Sequence, residues 1–166
     1  MKYDKITSLK IILIVLILTL FIRNFLFNVT IVNGSSMEPT LSNKSLVFSI
    51  VPKKHFIKRG DIVILKAPDK KYKKYIKRVI GLPNDEVQIK NGKVYINGDL
   101  YEENYISTDY TEAINGTYTI LKENEYFVLG DNREPGKSED SRYFGPIDKR
   151  NIKSVIIFRI YPFRKF

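Results

Sequence analysis

The 166-residue chain contains no cysteine and a single histidine, His55. Without cysteine there is no thiolate nucleophile, no disulfide framework and no Cys-ligated metal. A lone histidine excludes zinc motifs that need two, and a Ser-His-Asp triad would have to rest on His55 alone. No Asp-Thr-Gly or Asp-Ser-Gly occurs, so the paired carboxylates of an aspartic protease are not signalled. Clusters of histidine and carboxylate suited to a dinuclear metal site are also missing, and the chemistry expected here needs neither metal nor cofactor. Long linkers and internal repeats are absent, and beyond about residue 30 there is no sustained amphipathic helical period.

Charge is plentiful but segregated. The net charge of +10 divides into +3 over residues 1–52, +9 over 53–83, −8 over 84–148 and +6 over 149–166. Such a polarised surface suits anionic lipid headgroups or nucleic acid. The lysines around Pro68 and Asp69 have Tyr72 and Tyr75 nearby but no aromatic-rich RNA-binding signature, so lipid is the expected partner and nucleic acid is not.

Residues 11–22 carry no charge and follow Lys2, Lys5 and Lys10. Apolar character resumes at Phe25, and the 20 residues from Ser8 to Phe27 suffice to cross a bilayer. No small-x-small cleavage site follows, so residues 1–28 read as a cytoplasmic N-terminus with a retained anchor, not a cleaved leader. The flanking lysines favour an N-inside orientation, placing the remainder outside the cell membrane.

That remainder, residues 29–166, reads as β-structure. Val29–Val32, Ser45–Val51, Asp61–Leu65, Tyr75–Ile80, Glu86–Ile89, Lys93–Ile96, Tyr118–Leu121, Tyr126–Leu129 and Ser154–Tyr161 are apolar, β-branched or aromatic runs between turn residues. Asn91-Gly92 is a hairpin signal, and Asn97-Gly98 marks another turn. The organisation expected is a mostly β, two-lobed antiparallel domain. Its core lobe spans 29–83 and 130–166, and a smaller acidic lobe is inserted at about 84–129.

Three clusters can carry chemistry. Gly34-Ser35-Ser36-Met37-Glu38-Pro39-Thr40-Leu41 is a small, polar turn in which Ser36 is a candidate nucleophile or simply an exposed turn residue. Its base must be His55 or a lysine. His55 lies among Lys53, Lys54, Lys58 and Arg59, and reads as a surface-loop residue. A lysine base must be neutral, hence desolvated or close to other cations. Lys77, mid-strand in Tyr75-Ile76-Lys77-Arg78-Val79-Ile80, is the candidate. The pattern allows either Lys77 or Arg78 on the apolar face, and equally a strand-edge lysine in solvent, but arginine cannot give up its proton. Third, Gly130-Asp131-Asn132-Arg133 and Ser138-Glu139-Asp140-Ser141-Arg142 can form a polar network that fixes loops around a site.

Taken in order with Arg59-Gly60-Asp61-Ile62-Val63 and Gly81-Leu82-Pro83, these segments resemble the bacterial type I signal peptidases, membrane-anchored serine proteases with a Ser-Lys dyad. The resemblance covers nearly the whole chain. It implies Ser36 as nucleophile, Lys77 as general base, and the Ser36 backbone N–H as one arm of an oxyanion hole. In some relatives a serine two residues before the nucleophile supplies the second arm; here that position is Gly34, which leaves the arm to a backbone N–H or a water. Ser138 matches the serine that hydrogen-bonds the lysine, and Asp140 with Arg142 matches the supporting network. The tract from Arg133 to Ser138 is about two residues longer than the family pattern. The implied substrates are exported preproteins cut after small residues of the Ala-x-Ala type, with Ile31, Val32 and Ile76 lining the pockets. Two other functions compete: a peptidase of the same mechanism dedicated to one class such as pilins, and a non-enzymatic, membrane-tethered basic binding module.

Overall fold

A computed structural model describes residues 5–114 and 116–165; Lys2 therefore lies outside the described residues. Leucine, isoleucine and valine without glycine or proline favour one uninterrupted helix, α1 (Lys5–Phe25). Its 21 residues reach ~32 Å at 1.5 Å per residue, close to the hydrocarbon thickness of a bilayer. The window Lys5–Ile22 has a mean hydropathy of 2.4, and none of it is buried against the protein. The helix is thus long and apolar enough to cross a membrane. It stops earlier than the expected anchor: Leu26 closes the last turn and Phe27 already belongs to a strand, because its backbone is held by the neighbouring strand at Ile50.

Twelve antiparallel strands follow among the described residues: β1 (Phe27–Ile31), β2 (Leu46–Ile50), β3 (Ile62–Lys66), β4 (Lys74–Gly81), β5 (Glu86–Lys90), β6 (Lys93–Ile96), β7 (Asp99–Leu100), β8 (Tyr118–Ile120), β9 (Glu125–Leu129), β10 (Ile147–Asp148), β11 (Ile152–Tyr161) and β12 (Arg164–Lys165). A short helix, α2 (Ser141–Phe144), lies between β9 and β10. The larger sheet runs β1-β2-β11-β3-β4-β9-β10 with β12 paired to β11, and the smaller runs β7-β6-β5-β8. The fold is therefore mostly antiparallel β with one N-terminal apolar helix. Every longer strand overlaps an apolar run in the sequence, although β1 begins two residues before the expected Val29–Val32 and ends at Ile31. The two-residue strands β7, β10 and β12 do not, because so few residues carry no period of their own. Asn91 and Gly92 both adopt positive φ, 52° and 75°, between the paired Lys90 and Lys93, as the two-residue hairpin requires.

Three buried clusters position the site. Val32, Met37, Leu41, Val47, Ile62, Ile64 and Ile156 form one, beneath the serine turn. Val63, Leu65, Val79, Val128, Ile147 and Val155 form the centre of the large sheet. The third joins the sheets: Ile80, Phe127 and Leu129 meet Val87, Ile89, Val94, Ile96 and Leu121. Gly81 sits at that junction, where an added Cβ would come within 2.6 Å of both Leu121 Cδ1 and Val87 Cγ2. Gly81→Ala should therefore destabilise the fold by about 1–3 kcal/mol through overpacking, measured by denaturant unfolding; an unchanged midpoint would contradict this packing.

Candidate active site

The serine turn is pinned from below. Met37 and Leu41 are sunk in the core, and their backbones close one turn through a 2.8 Å bond from Leu41 N–H to Met37 O. Ser36, one residue earlier, is left half-buried at the rim. Its N–H carries no hydrogen bond among the described residues and so is free to meet an incoming oxygen. Gly34 has φ of +111°, a region that disfavours a side chain, and its N–H donates to Asn43 Oδ1 at 3.1 Å. That donor is already committed to the Asn43 side chain.

β4 buries both Lys77 and Arg78 and gives each a different partner. Lys77 is 2% exposed and donates from Nζ to Ser36 Oγ at 2.8 Å. Arg78 forms a bidentate pair with Asp131, 2.9 Å from Nε and 2.6 Å from the second nitrogen, and also donates to Gly60 O. Its guanidinium lies 3.9 Å from the centre of the Tyr105 ring. One strand thus presents a shielded amine to one partner and a fully paired cation to another. Burial is the main influence on the Lys77 amine and lowers its pKa to about 8; Asp140 and Glu139 act in the opposite direction.

Ser138, Asp140 and Arg142 are brought together behind this pair. Asp140 caps α2 and is gripped by Arg142 through Nε at 2.8 Å and a second nitrogen at 2.9 Å. It also accepts from Gly130 N–H at 3.1 Å and from the Ser138 hydroxyl at 2.7 Å. The Lys77–Ser138 hydrogen bond expected from the sequence is not formed among the described residues. The hydroxyl donates to the Asp140 carboxylate instead, and its oxygen keeps lone pairs to accept elsewhere. Gly130 is packed against both partners: an added Cβ would lie 2.4 Å from Ser36 O and 2.2 Å from Ser138 Oγ.

Sequence reasoning left several supporting residues unassigned. Asn132 bonds the serine turn twice, from N–H to Ser36 O at 3.0 Å and from Nδ2 to Ser35 O at 3.1 Å. Arg133, buried, donates to Gly130 O at 2.7 Å and to Thr111, and forms an ion pair with Glu103. Ser107 joins the same loop by accepting from Arg133 N–H. Asp131, Asn132 and Arg133 were visible as a polar cluster, whereas Glu103, Ser107 and Thr111 carry no local signal. Tyr75 donates to Asp69 and Glu139, and its ring lies 5.3 Å from Lys77 Nζ.

Ser36 and Lys77 open onto a cleft of about 330 Å³, whose walls include Ile31, Val32, Ile76, Tyr72 and Lys74. The three apolar pocket candidates thus lie beside the dyad: Ile31 exposed, Val32 buried and Ile76 between. His55 is exposed on a 3₁₀ turn (Pro52–His55) and borders a different cavity. Among the described residues, no group of three or more His, Asp or Glu side chains is placed to hold a metal ion. The constellation can pass a hydroxyl proton to an amine in a partly dry site and receive an oxyanion at the Ser36 N–H.

The chain is similar to known proteins along nearly its whole length. The family model described as "Signal peptidase, peptidase S26" matches residues 5–161. A signal peptidase I of Bacillus licheniformis is 41% identical over 167 residues, covering 94% of this chain and 88% of the relative. Signal peptidase I S of Bacillus subtilis (strain 168) is 39% identical, covering 94% and 89%. Signal peptidase IB of Staphylococcus aureus (strain N315) is 32% identical, covering 100% and 94%. The solved structure of a signal peptidase I from Enterococcus faecalis V583 superposes with a TM-score of 0.52 at 32% identity, covering 60% of this chain and 95% of that one.

Burying Lys77 has a consequence for stability. Below pH 8 the folded protein holds a shielded ammonium, and the cost is fully present; as pH rises from about 8 toward 10.5, only the unfolded chain keeps the proton, and the cost fades. Lys77→Met should therefore be more stable than the parent at pH 7, with the gap shrinking toward pH 10 in paired denaturant titrations. A gap that does not change with pH would show the amine to be well solvated.

Proposed function

The chain belongs to the peptidase S26 family of signal peptidases, which makes it a serine endopeptidase, and from that premise we propose that it removes signal peptides from exported preproteins by a Ser36–Lys77 dyad. The observation that carries the mechanism is the 2.8 Å contact between Ser36 Oγ and a buried lysine whose amine is lowered to about 8. Neutral Lys77 takes the hydroxyl proton as Ser36 Oγ attacks the scissile carbonyl. The Ser36 N–H receives the developing oxyanion, and the Lys77 ammonium then gives its proton to the departing amine. Lys77 next activates water to release the acyl group. Asp140, held by Arg142 and Gly130, steadies Ser138 and the loop behind the lysine, so Ser138, Asp140 and Arg142 act as positioning residues.

The cleft shape supports cleavage after small side chains. Residues 74–77 of β4 pair with β3 on one edge only, since β9 joins β4 no earlier than Arg78. An extended substrate can add to that open edge, with Ile31, Val32 and Ile76 closing shallow pockets on Ala-x-Ala side chains. We further propose α1 as a single anchor. Lys5 and Lys10 would hold its start on the cytoplasmic side and carry the catalytic β-domain to the outer face, where the smaller sheet forms the inserted lobe.

Incubating the full chain in detergent with an Ala-x-Ala preprotein and mapping the product by mass spectrometry tests the activity and its position. Ser36→Ala and Lys77→Ala should each lower cleavage at least about a thousandfold while the melting temperature stays near that of the parent. Full activity in the Lys77 variant would sink the mechanism. The rate should rise with pH as the amine loses its proton near pH 8, then level off; a profile flat from pH 6 to 9 would rule out Lys77 as base.

A further inference from the structure

A second cavity, about 710 Å³, opens where α1 joins the large sheet, bordered by Lys54, His55, Asp148, Lys149, Arg150 and Ile152. None of these residues borders the catalytic cleft. Strand register fixes its place. Phe27, the first residue after the anchor's last turn, pairs with Ile50, which pairs with Val155. Val51 N–H donates to Leu26 O at 3.0 Å, and the 3₁₀ turn bearing Lys54 follows at once. Ile152 pairs with Leu65, and Lys66 pairs with Lys74, beyond the row of Phe27. The chain's entry from the anchor and this group of cations therefore share one end of the sheet.

The cavity is cationic in excess. Its single carboxylate, Asp148, is taken up by Arg150 through two bonds of 2.9 Å. Lys54 and Lys149 have no carboxylate partner among the described residues, and Lys153 donates only to Arg150 O at 3.0 Å. The Lys153 amine is pushed below its ordinary range, first by burial and then by Lys66, Lys54 and Lys74, an independent sign that these positive groups face one another. Cations that share one cavity with so few carboxylate partners, next in sequence to an exposed Phe56, form a seat for an anion.

We propose that this cavity binds the phosphate of an anionic phospholipid headgroup and thereby seats the catalytic domain against the membrane surface. The inference rests on the reading of α1 as a membrane anchor. Lys74, which lines the catalytic cleft, also acts on the Lys153 amine, so the positive field of this group extends toward that cleft. Phosphate oxygens would be met by Lys54 and Lys149 as mobile point charges, with Lys153 behind them.

The test is native mass spectrometry of the full chain in detergent, titrated with phosphatidylglycerol or phosphatidylcholine, for the parent and for Lys54→Gln/Lys149→Gln/Lys153→Gln. Phosphatidylglycerol binding should fall roughly fivefold or more in the triple variant, with phosphatidylcholine binding unchanged. Lys90→Gln/Lys93→Gln/Lys122→Gln, on other strands and turns, should behave as the parent. Equal phosphatidylglycerol binding by the parent and the triple variant, equal loss in the control set, or no preference over phosphatidylcholine would overturn the proposal. Displacement by millimolar inorganic phosphate would make this a free-anion site and overturn the lipid assignment. Should the triple variant melt early, the single changes Lys54→Gln and Lys149→Gln carry the same comparison at about twofold each. Cleavage of a short Ala-x-Ala peptide, read in parallel, reports separately on the peptidase reading.

Discussion

The desolvation of one amine organises the rest of this protein. A lysine becomes a base near neutral pH when water is kept from it or cations crowd it, and when no carboxylate sits in direct contact. Both conditions are met at Lys77, whose amine has one hydrogen bond among the described residues, to Ser36. Asp140, the carboxylate that most opposes this shift, is paired with Arg142, and Asp131 is paired with Arg78. Were either carboxylate unpaired, it would draw the amine back toward its ordinary pKa.

This explains why so much buried charge lies outside the dyad. Arg78, Arg133 and Arg142 are each buried and each matched to one carboxylate, Asp131, Glu103 and Asp140 respectively. Breaking such a pair leaves an uncompensated ion in the interior, so the loops carrying these residues are held in one arrangement. The loop Gly130–Arg133 receives contacts from β4, from the serine turn and from residues 103–111 after β7. The smaller sheet is thereby tied to the catalytic loop as well as to the core at Gly81.

The sequence made the dyad legible by elimination and by order. With no cysteine and one exposed histidine, a lysine was the remaining base for Ser36, and arginine could be discarded on proton chemistry alone. The longer strands were legible because apolar, β-branched runs alternate with turn residues. The Ser138 contact was not legible: that its hydroxyl donates to Asp140 is set by how the loop is placed against α2, which residue order does not show. Gly34 was seen to lack a hydroxyl, but the engagement of its N–H by Asn43 could not be read from residue order.

By itself, then, the chain determined its chemical inventory, its apolar N-terminal helix and its β-rich remainder, because composition and short-range periodicity are local properties. Only tertiary structure decided that Lys77 and Arg78 would both be buried with different partners. Only it brought Glu103 to Arg133, 30 residues apart, and Lys54 to Lys149 around one cavity. The physical reason is the same throughout. Desolvation and ion pairing depend on which distant segments close over a group, and antiparallel register sets that closure across long stretches of chain.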